Sequence, residues 1–170
     1  MLTVRVLNAA EGRKQLDALA HVLVGCVEGG ASVNFMSPYT HAEAKQFFEA
    51  LLSEVEAGHR ILLGAFDAEA LVGTVQVLLA MPPNQPHRGE IAKLLVAPQA
   101  RGAGAGAALM MAAERCAKEA GKTLLVLDTA NATAEALYAR LGWTRLGAIP
   151  GYALMPDGAP CATTIFWKAI

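Results

Sequence analysis

Three glycines alternate with alanine behind an arginine in the stretch Arg101-Gly102-Ala103-Gly104-Ala105-Gly106-Ala107, between a run that reads as a strand and one that reads as a helix. A backbone so bare of side chains lets a ligand come close to it. The first N–H groups of the helix, with the positive end of its dipole, then face whatever lies over the loop. The chemistry implied is anion binding, most naturally of phosphate, with Arg101 adding a charge. Tight packing of a helix on a sheet would explain one such glycine, but three in alternation plus an arginine are more than packing needs. Some two dozen residues on, Asp128, Asn131 and Tyr138 place a carboxylate, an amide and a phenol close together in sequence. Such groups can accept a proton, cap a helix or donate a proton.

Which phosphate is meant depends on the surroundings. Gly102, Gly104 and Ala107 formally satisfy the dinucleotide pattern G-x-G-x-x-G/A, with Asp128 as a ribose ligand, and an oxidoreductase using an NAD-type nucleotide is one reading. That pattern needs a parallel βαβ setting, whereas a meander precedes this strand. A P-loop is excluded because no Gly-Lys-Ser/Thr follows.

The elements around these residues follow from periodicity. TVRVLN alternates as a short strand; from Ala9, Leu16, Leu19, Leu23, Cys26 and Val27 recur at helical spacing as far as Gly29-Gly30. A second helix starts at an N-cap Thr40 and buries Phe47, Phe48, Leu51, Leu52 and Val55 before Gly58. RILLGAFD and ALVGTVQVLLA form a hairpin across Ala68-Glu69, and EIAKLLVAP is the third strand of the meander, stopped at Pro98. A helix from Gly104 to Ala120, the strand TLLVLDTA, the helix NATAEALYARLG and two strands around MPDGAP complete the chain. The order predicts a mixed α/β (α+β) domain on one sheet, a single domain over residues 1–170, without regular β-α-β-α alternation.

Composition narrows the partners. The chain is 54% hydrophobic and 17% charged with a formal net charge of −1, so neither disorder nor bulk attraction to nucleic acid is expected. Cys26, Cys116 and Cys161 are odd in number and without paired spacing, and the four histidines never take a ligand spacing with them; no metal site is expected. Leu23 to Cys26 could pass for a lipoprotein cleavage site, but Asp17 and His21 make the preceding segment too polar. No apolar run reaches the roughly 18 residues of a membrane span. A cytoplasmic protein with a small-molecule partner is the expectation.

The stretch Val96 to Met110, V-A-P-Q-A-R-G-A-G-A-G-A-A-L-M, resembles the acetyl-CoA signature R-x-x-G-x-G/A of the GNAT N-acetyltransferases, with Arg101, Gly104 and Gly106 in its fixed places. Asn131, Ala134, Leu137, Tyr138, Leu141, Gly142 and Trp143 match the same family's N-x-x-A-x-x-L-Y-x-x-L-G-F pattern, with Trp143 for the usual Phe. GGASVNFM and LDTANATAEALYARLGWTRLGAIPGYALMPDG are similar to the tabtoxin-resistance branch of that superfamily, which acetylates a toxic amino-acid-like β-lactam. The resemblance implies the GNAT fold, a mostly antiparallel twisted sheet of about seven strands flanked by about four helices.

It also implies a chemistry. An ammonium with a pKa near 10 leaves about one neutral amine in a thousand at pH 7, so acetyl transfer needs a base, an oxyanion donor and an acid for the thiolate. By resemblance, acetyl-CoA rests its pyrophosphate on Arg101, Gly102, Ala103, Gly104, Ala105, Gly106 and Ala107, and its pantetheine beside main-chain groups of Leu94, Leu95 and Val96. Tyr138 would protonate the thiolate, unless it is a core tyrosine; Asn131 would contact the coenzyme, unless it is only an N-cap. Asp128 and Glu90 are alternative bases. Acceptor recognition is expected between Gly29–Phe35 and Gly151–Gly158, where Glu28, Ser32, Asn34 and Asp157 offer polar groups. A homodimer through the C-terminal strands follows by the same analogy, and a non-catalytic acyl-CoA sensor remains the rival from outside enzymology.

Overall fold

The computed structural model describes all 170 residues. The chain runs β1 (Leu2–Leu7), α1 (Ala9–Lys14), α2 (Leu16–Glu28), α3 (His41–Glu56), β2 (Arg60–Asp67), β3 (Ala70–Leu78), β4 (Arg88–Val96), a single 3-10 turn, α4 (Ala105–Glu119), β5 (Leu124–Thr129), α5 (Ala132–Arg140), β6 (Thr144–Leu154) and β7 (Pro160–Ala169). The strands form one sheet in the order β1-β2-β3-β4-β5-β7-β6, antiparallel except for β4 with β5. There are five α-helices against about four expected, because the segment after Ala9 is divided at Gln15. Asn8 and Glu11 close a capping box on the short α1, so that helix has its own start signal.

Both faces at the centre of the sheet are covered, which explains why β2 and β3 are apolar almost without interruption. Leu62 faces α2 and α3 with Leu7, Leu19, Leu23, Phe48 and Leu52; its neighbour Leu63 faces α4 with Val75, Leu109, Met110 and Leu125. Each such buried leucine contributes about 1.5–3 kcal/mol relative to an exposed one. Thr40 and Glu43 form the capping box that starts α3. The Trp143 indole N–H donates to Glu114 at 2.8 Å, and Lys168 joins Glu114 to the Leu141 carbonyl. Tryptophan thus ties the start of β6 to α4 by a bond that phenylalanine in its place would lack.

Two irregularities of β4 set up the site. Thr74 pairs with Leu95 but Gln76 with Ala92, so two steps on β3 oppose three on β4, a bulge whose Lys93 has φ +52°. Farther along, β4 pairs with β5 only over Arg88–Glu90 with Leu124–Val126. Beyond that the two strands part, and the β5-facing edge of Ile91–Val96 loses its ladder partner.

Candidate functional site

The three glycines that the sequence presents as equals have different local reasons. Gly102 and Gly104 hold φ of +81° and +86°, which disfavour any side chain, and a Cβ at either would meet open space. Gly104 is the N-cap of α4 and offers no side-chain acceptor to the helix, so the N–H groups opening α4 are not capped from within. Gly106 lies inside α4, where a Cβ would come within 3.2 Å of Leu137 Cδ2 on α5; it serves helix packing. Bare loop and uncapped helix start thus adjoin, and the unpaired edge of β4 precedes them across the 3-10 turn Pro98–Ala100. Ala103, Ala105 and Ala107 add nothing larger than a methyl group to the loop and helix start.

Arg101 is exposed, and its Nε approaches the Val96 carbonyl at 3.4 Å. The Cys26 thiol lies 3.5 Å from the same oxygen, and burial pushes that thiol's pKa up against the opposing influence of Arg101. Leu95 is buried in the α2 side of the core, while Leu94 and Val96 are partly buried against the α4 side. Side chains of Leu94 to Val96 thus serve the two cores, leaving main-chain groups along the edge.

Where β4 and β5 part, groups from both sheet faces come into range of each other. Tyr138 is 5% exposed on the α4 side, with its ring centroid 5.6 Å from Phe166 and 6.2 Å from Trp143. Burial first, and the charge of Asp128 second, raise its pKa well above the ordinary value of 10.0, so the phenol keeps its proton throughout the neutral range. Asp128 projects to the opposite face from the buried Leu127, and Thr163 donates to its Oδ2 at 2.7 Å. Glu90 pairs in register with Val126, two residues before Asp128, and accepts from Arg88. Both candidate bases therefore stand at the point of divergence. Asn131 caps α5, its Oδ1 accepting from the Ala134 N–H at 3.1 Å.

The two expected acceptor segments meet. Ser32 Oγ donates to the Leu154 carbonyl at 3.0 Å and the Ser37 N–H to the Pro156 carbonyl at 3.0 Å. Ser32 is thereby committed to the junction, and Asp157 to its own turn, where Oδ1 accepts from the Ala159 N–H. Glu28 ends α2 and is exposed; Asn34, also exposed, has φ +74°. Phe35 of the same loop stacks on Tyr39 at 4.5 Å and meets Phe47 edge-on at 5.1 Å.

Lys93 also faces this region, and sequence reasoning misses it, although Phe35, beside which it stands, closes the expected acceptor loop Gly29–Phe35. The Lys93 ammonium lies 5.7 Å from the Phe35 ring centroid, within range of a cation–π contact. Its pKa is lowered by burial first, with Asp128 opposing and Arg60 adding to the effect. The available signal is a lysine in the apolar run EIAKLLV, since a lysine there has to be explained. A surface cleft of about 530 Å³ between α2 and Ala97–Gln99 contains none of these groups. No three His, Cys, Asp or Glu side chains gather as metal ligands, and no helix is long and apolar enough to cross a membrane.

The β2-β3-β4 meander is antiparallel, so the glycine loop lacks the repeated parallel setting of a dinucleotide fold. Comparison with known proteins points the same way. The chain is similar in structure to an N-acetyltransferase from Staphylococcus aureus Mu50, with 17% identity, TM-score 0.82, and 99% of this chain and 98% of that chain covered. A ribosomal-protein-alanine N-acetyltransferase from Brucella melitensis gives 21% identity and TM-score 0.81, covering 99% of each chain. A Salmonella typhimurium protein solved with its cofactor acetyl-CoA gives 18% identity and TM-score 0.80, covering 99% of this chain and 93% of that one. At such identities these likenesses establish the fold, and the family rests on sequence: the profile of the acetyltransferase (GNAT) family matches residues 30–143. Matched over more than half its length, the chain belongs to the GNAT family of acetyltransferases, which move acetyl groups from acetyl-CoA.

Proposed function

We propose that residues 1–170 form a single catalytic domain that transfers acetyl from acetyl-CoA to the primary amine of a small molecule by direct attack on the thioester. The observation that carries this is the parting of β4 from β5, which leads from Asp128 and Tyr138 along an unpaired strand edge to the left-handed turn at Gly102 and Gly104. The pyrophosphate lies on the N–H groups from Arg101 to Ala107, and the pantetheine replaces the missing strand beside Leu94, Leu95 and Val96. One main-chain N–H of that edge faces the thioester oxygen and stabilises the oxyanion. Asn131 keeps its amide nitrogen for the coenzyme while its oxygen caps α5.

Asp128 takes the proton of the incoming ammonium, or Glu90 does so through a water; the neutral amine then attacks the carbonyl carbon. As the tetrahedral intermediate collapses, the C–S bond breaks, the Tyr138 hydroxyl protonates the departing thiolate, and the proton that the nitrogen sheds on becoming an amide restores the phenol. A phenol held neutral by burial suits that task. Glu28 and Asn34 remain exposed for contacts with the acceptor, whereas Ser32 and Asp157 shape the mouth through the bonds they make within the chain. The tabtoxin-resistance resemblance supports an amino-acid-like toxin or antibiotic as acceptor. The exposed apolar side chains Leu146, Ile149, Tyr152 and Leu154 of the edge strand β6 suit a homodimer.

Calorimetric titration with acetyl-CoA tests the coenzyme reading. Binding near 1 μM, about −8 kcal/mol, is expected, weakened in Arg101→Ala, with no heat from NAD. Heat from NAD and none from acetyl-CoA would overturn it. Binding of acetyl-CoA without coenzyme A release for any amine, and indifference to Tyr138→Phe, would make the protein an acyl-CoA sensor.

A further inference from the structure

The acetyl-transfer steps leave Lys93 without a task, yet the fold holds it in an unusual way. Its φ of +52° is a left-handed conformation that residues with side chains adopt rarely, and strain of this kind gathers at functional positions. The ammonium stands over the Phe35 ring, whose orientation is fixed by Tyr39 and Phe47. Neighbouring groups act on it through burial and charge, and no hydrogen bond or ion pair within the chain engages it. It is therefore partly buried with no acceptor within the chain for its N–H groups, which suits it to bind an anion.

The surroundings sort by sign. Gln76, paired with Leu62 and Ala92, lies fully buried on the α2 side of the sheet and accepts from Arg60. Its own Nε2, and the Nε of Arg60, are buried without a partner. Arg60 and Lys93 make this flank positive. Asp128, where β4 and β5 part, makes the other flank negative, whereas Glu90 beside it is offset by its ion pair with Arg88. A molecule carrying both an ammonium and an anionic group has one orientation that satisfies both flanks.

We infer that Lys93 selects the acceptor by binding a carboxylate on it, so that the substrate class is amino acids and not simple amines. The inference rests on the acetyl-transfer reading above. Asp128 attracts the ammonium end while Lys93 holds the carboxylate, and the two contacts together turn the amine toward the thioester. The aromatic face of Phe35 supports the cation without supplying the hydrogen-bond acceptor that the carboxylate brings.

The test measures coenzyme A release with acetyl-CoA and matched acceptors: the standard amino acids, their α-amides and their decarboxylated amines. The native protein should prefer at least one amino acid over its decarboxylated amine by about 30-fold or more in kcat/KM. Asparagine tolerates the left-handed backbone, so Lys93→Asn removes the charge without refolding the bulge. It should reduce that preference to under about threefold, chiefly through KM, while Lys93→Arg keeps most of it and calorimetric binding of acetyl-CoA stays unchanged in both. Equal use of decarboxylated amines by the native protein, acetylation of amines but of no amino acid, or a preference that survives Lys93→Asn would each overturn the inference while leaving acetyl transfer standing. Absence of both acetyl-CoA binding and turnover would instead sink the underlying reading.

Discussion

The proposed coenzyme side and the proposed acceptor side of this site are made of different material. On the first, the chain presents main-chain N–H groups at Gly102 to Ala107 and an unpaired strand edge at Leu94 to Val96, all within one short contiguous stretch. On the second, the functional atoms are side chains brought together from β4, β5, the loop after α2 and the hairpin of β6 and β7. A site built from backbone tolerates changes of side chain and fails on changes of backbone angle; a site built from side chains does the reverse. On the proposed reading, the same constant coenzyme would be served by a local motif, while the acceptor would be chosen by residues far apart in sequence.

Substitutions can break that division or sharpen it. The largest effect is expected from Tyr138→Phe, which keeps the ring among Phe166 and Trp143 but removes the proton donor: kcat should fall by about 10² or more while calorimetry finds acetyl-CoA binding unchanged. A matching loss of coenzyme affinity would show that the two sides are not separable. On the backbone side, Gly104→Val puts a β-branched residue at φ +86°. It should lower stability by about 1–3 kcal/mol and weaken acetyl-CoA binding, measured by urea unfolding and calorimetry. Gly106→Ala should change stability by under about 1 kcal/mol, since helix propensity gains roughly what the shift of Leu137 loses. If both behave alike, the distinction between turn glycine and packing glycine is wrong.

The smallest effect concerns alkaline pH. The Tyr138 pKa is raised in the folded state from 10.0, so its contribution to stability is intact below pH 10 and declines as pH rises beyond it, because the unfolded chain loses that proton first. At pH 11 the loss is about 1 kcal/mol. Urea midpoints followed from pH 9 to 11 should fall more steeply for the native protein than for Tyr138→Phe.

What the sequence disclosed follows the same division. The cap at Thr40, the hairpin turn at Ala68-Glu69 and the loop from Arg101 to Gly106 are local in sequence, and each was legible from residue type and spacing. The bulge at Lys93 was not, because a bulge is a mismatch between two strands and leaves no mark on the alternation of either one alone. Ser32 and Asp157 are recognisable as polar groups near the acceptor, but their hydrogen bonds within the chain depend on which carbonyl or N–H lies opposite. Asn131 can be read both as a cap and as a coenzyme contact, and its cap bond occupies its oxygen only. Trp143 looks interchangeable with phenylalanine because its partner Glu114 sits on another helix.

The position of β7 between β5 and β6 governs the order in which these two sides can be assembled during synthesis. The strand edge and glycine turn that would cradle the coenzyme have all emerged once α4 and β5 are made. The proposed mouth for the acceptor would have to wait, because Ser32 and Ser37 find their partners at Leu154 and Pro156, on the approach to β7. Until Pro160–Ala169 leaves the ribosome, β5 has no antiparallel neighbour and β6, which carries Leu154 and leads to Pro156, has no strand to hold it in the sheet. A nascent chain would thus acquire its capacity for the coenzyme before its capacity to discriminate among amines.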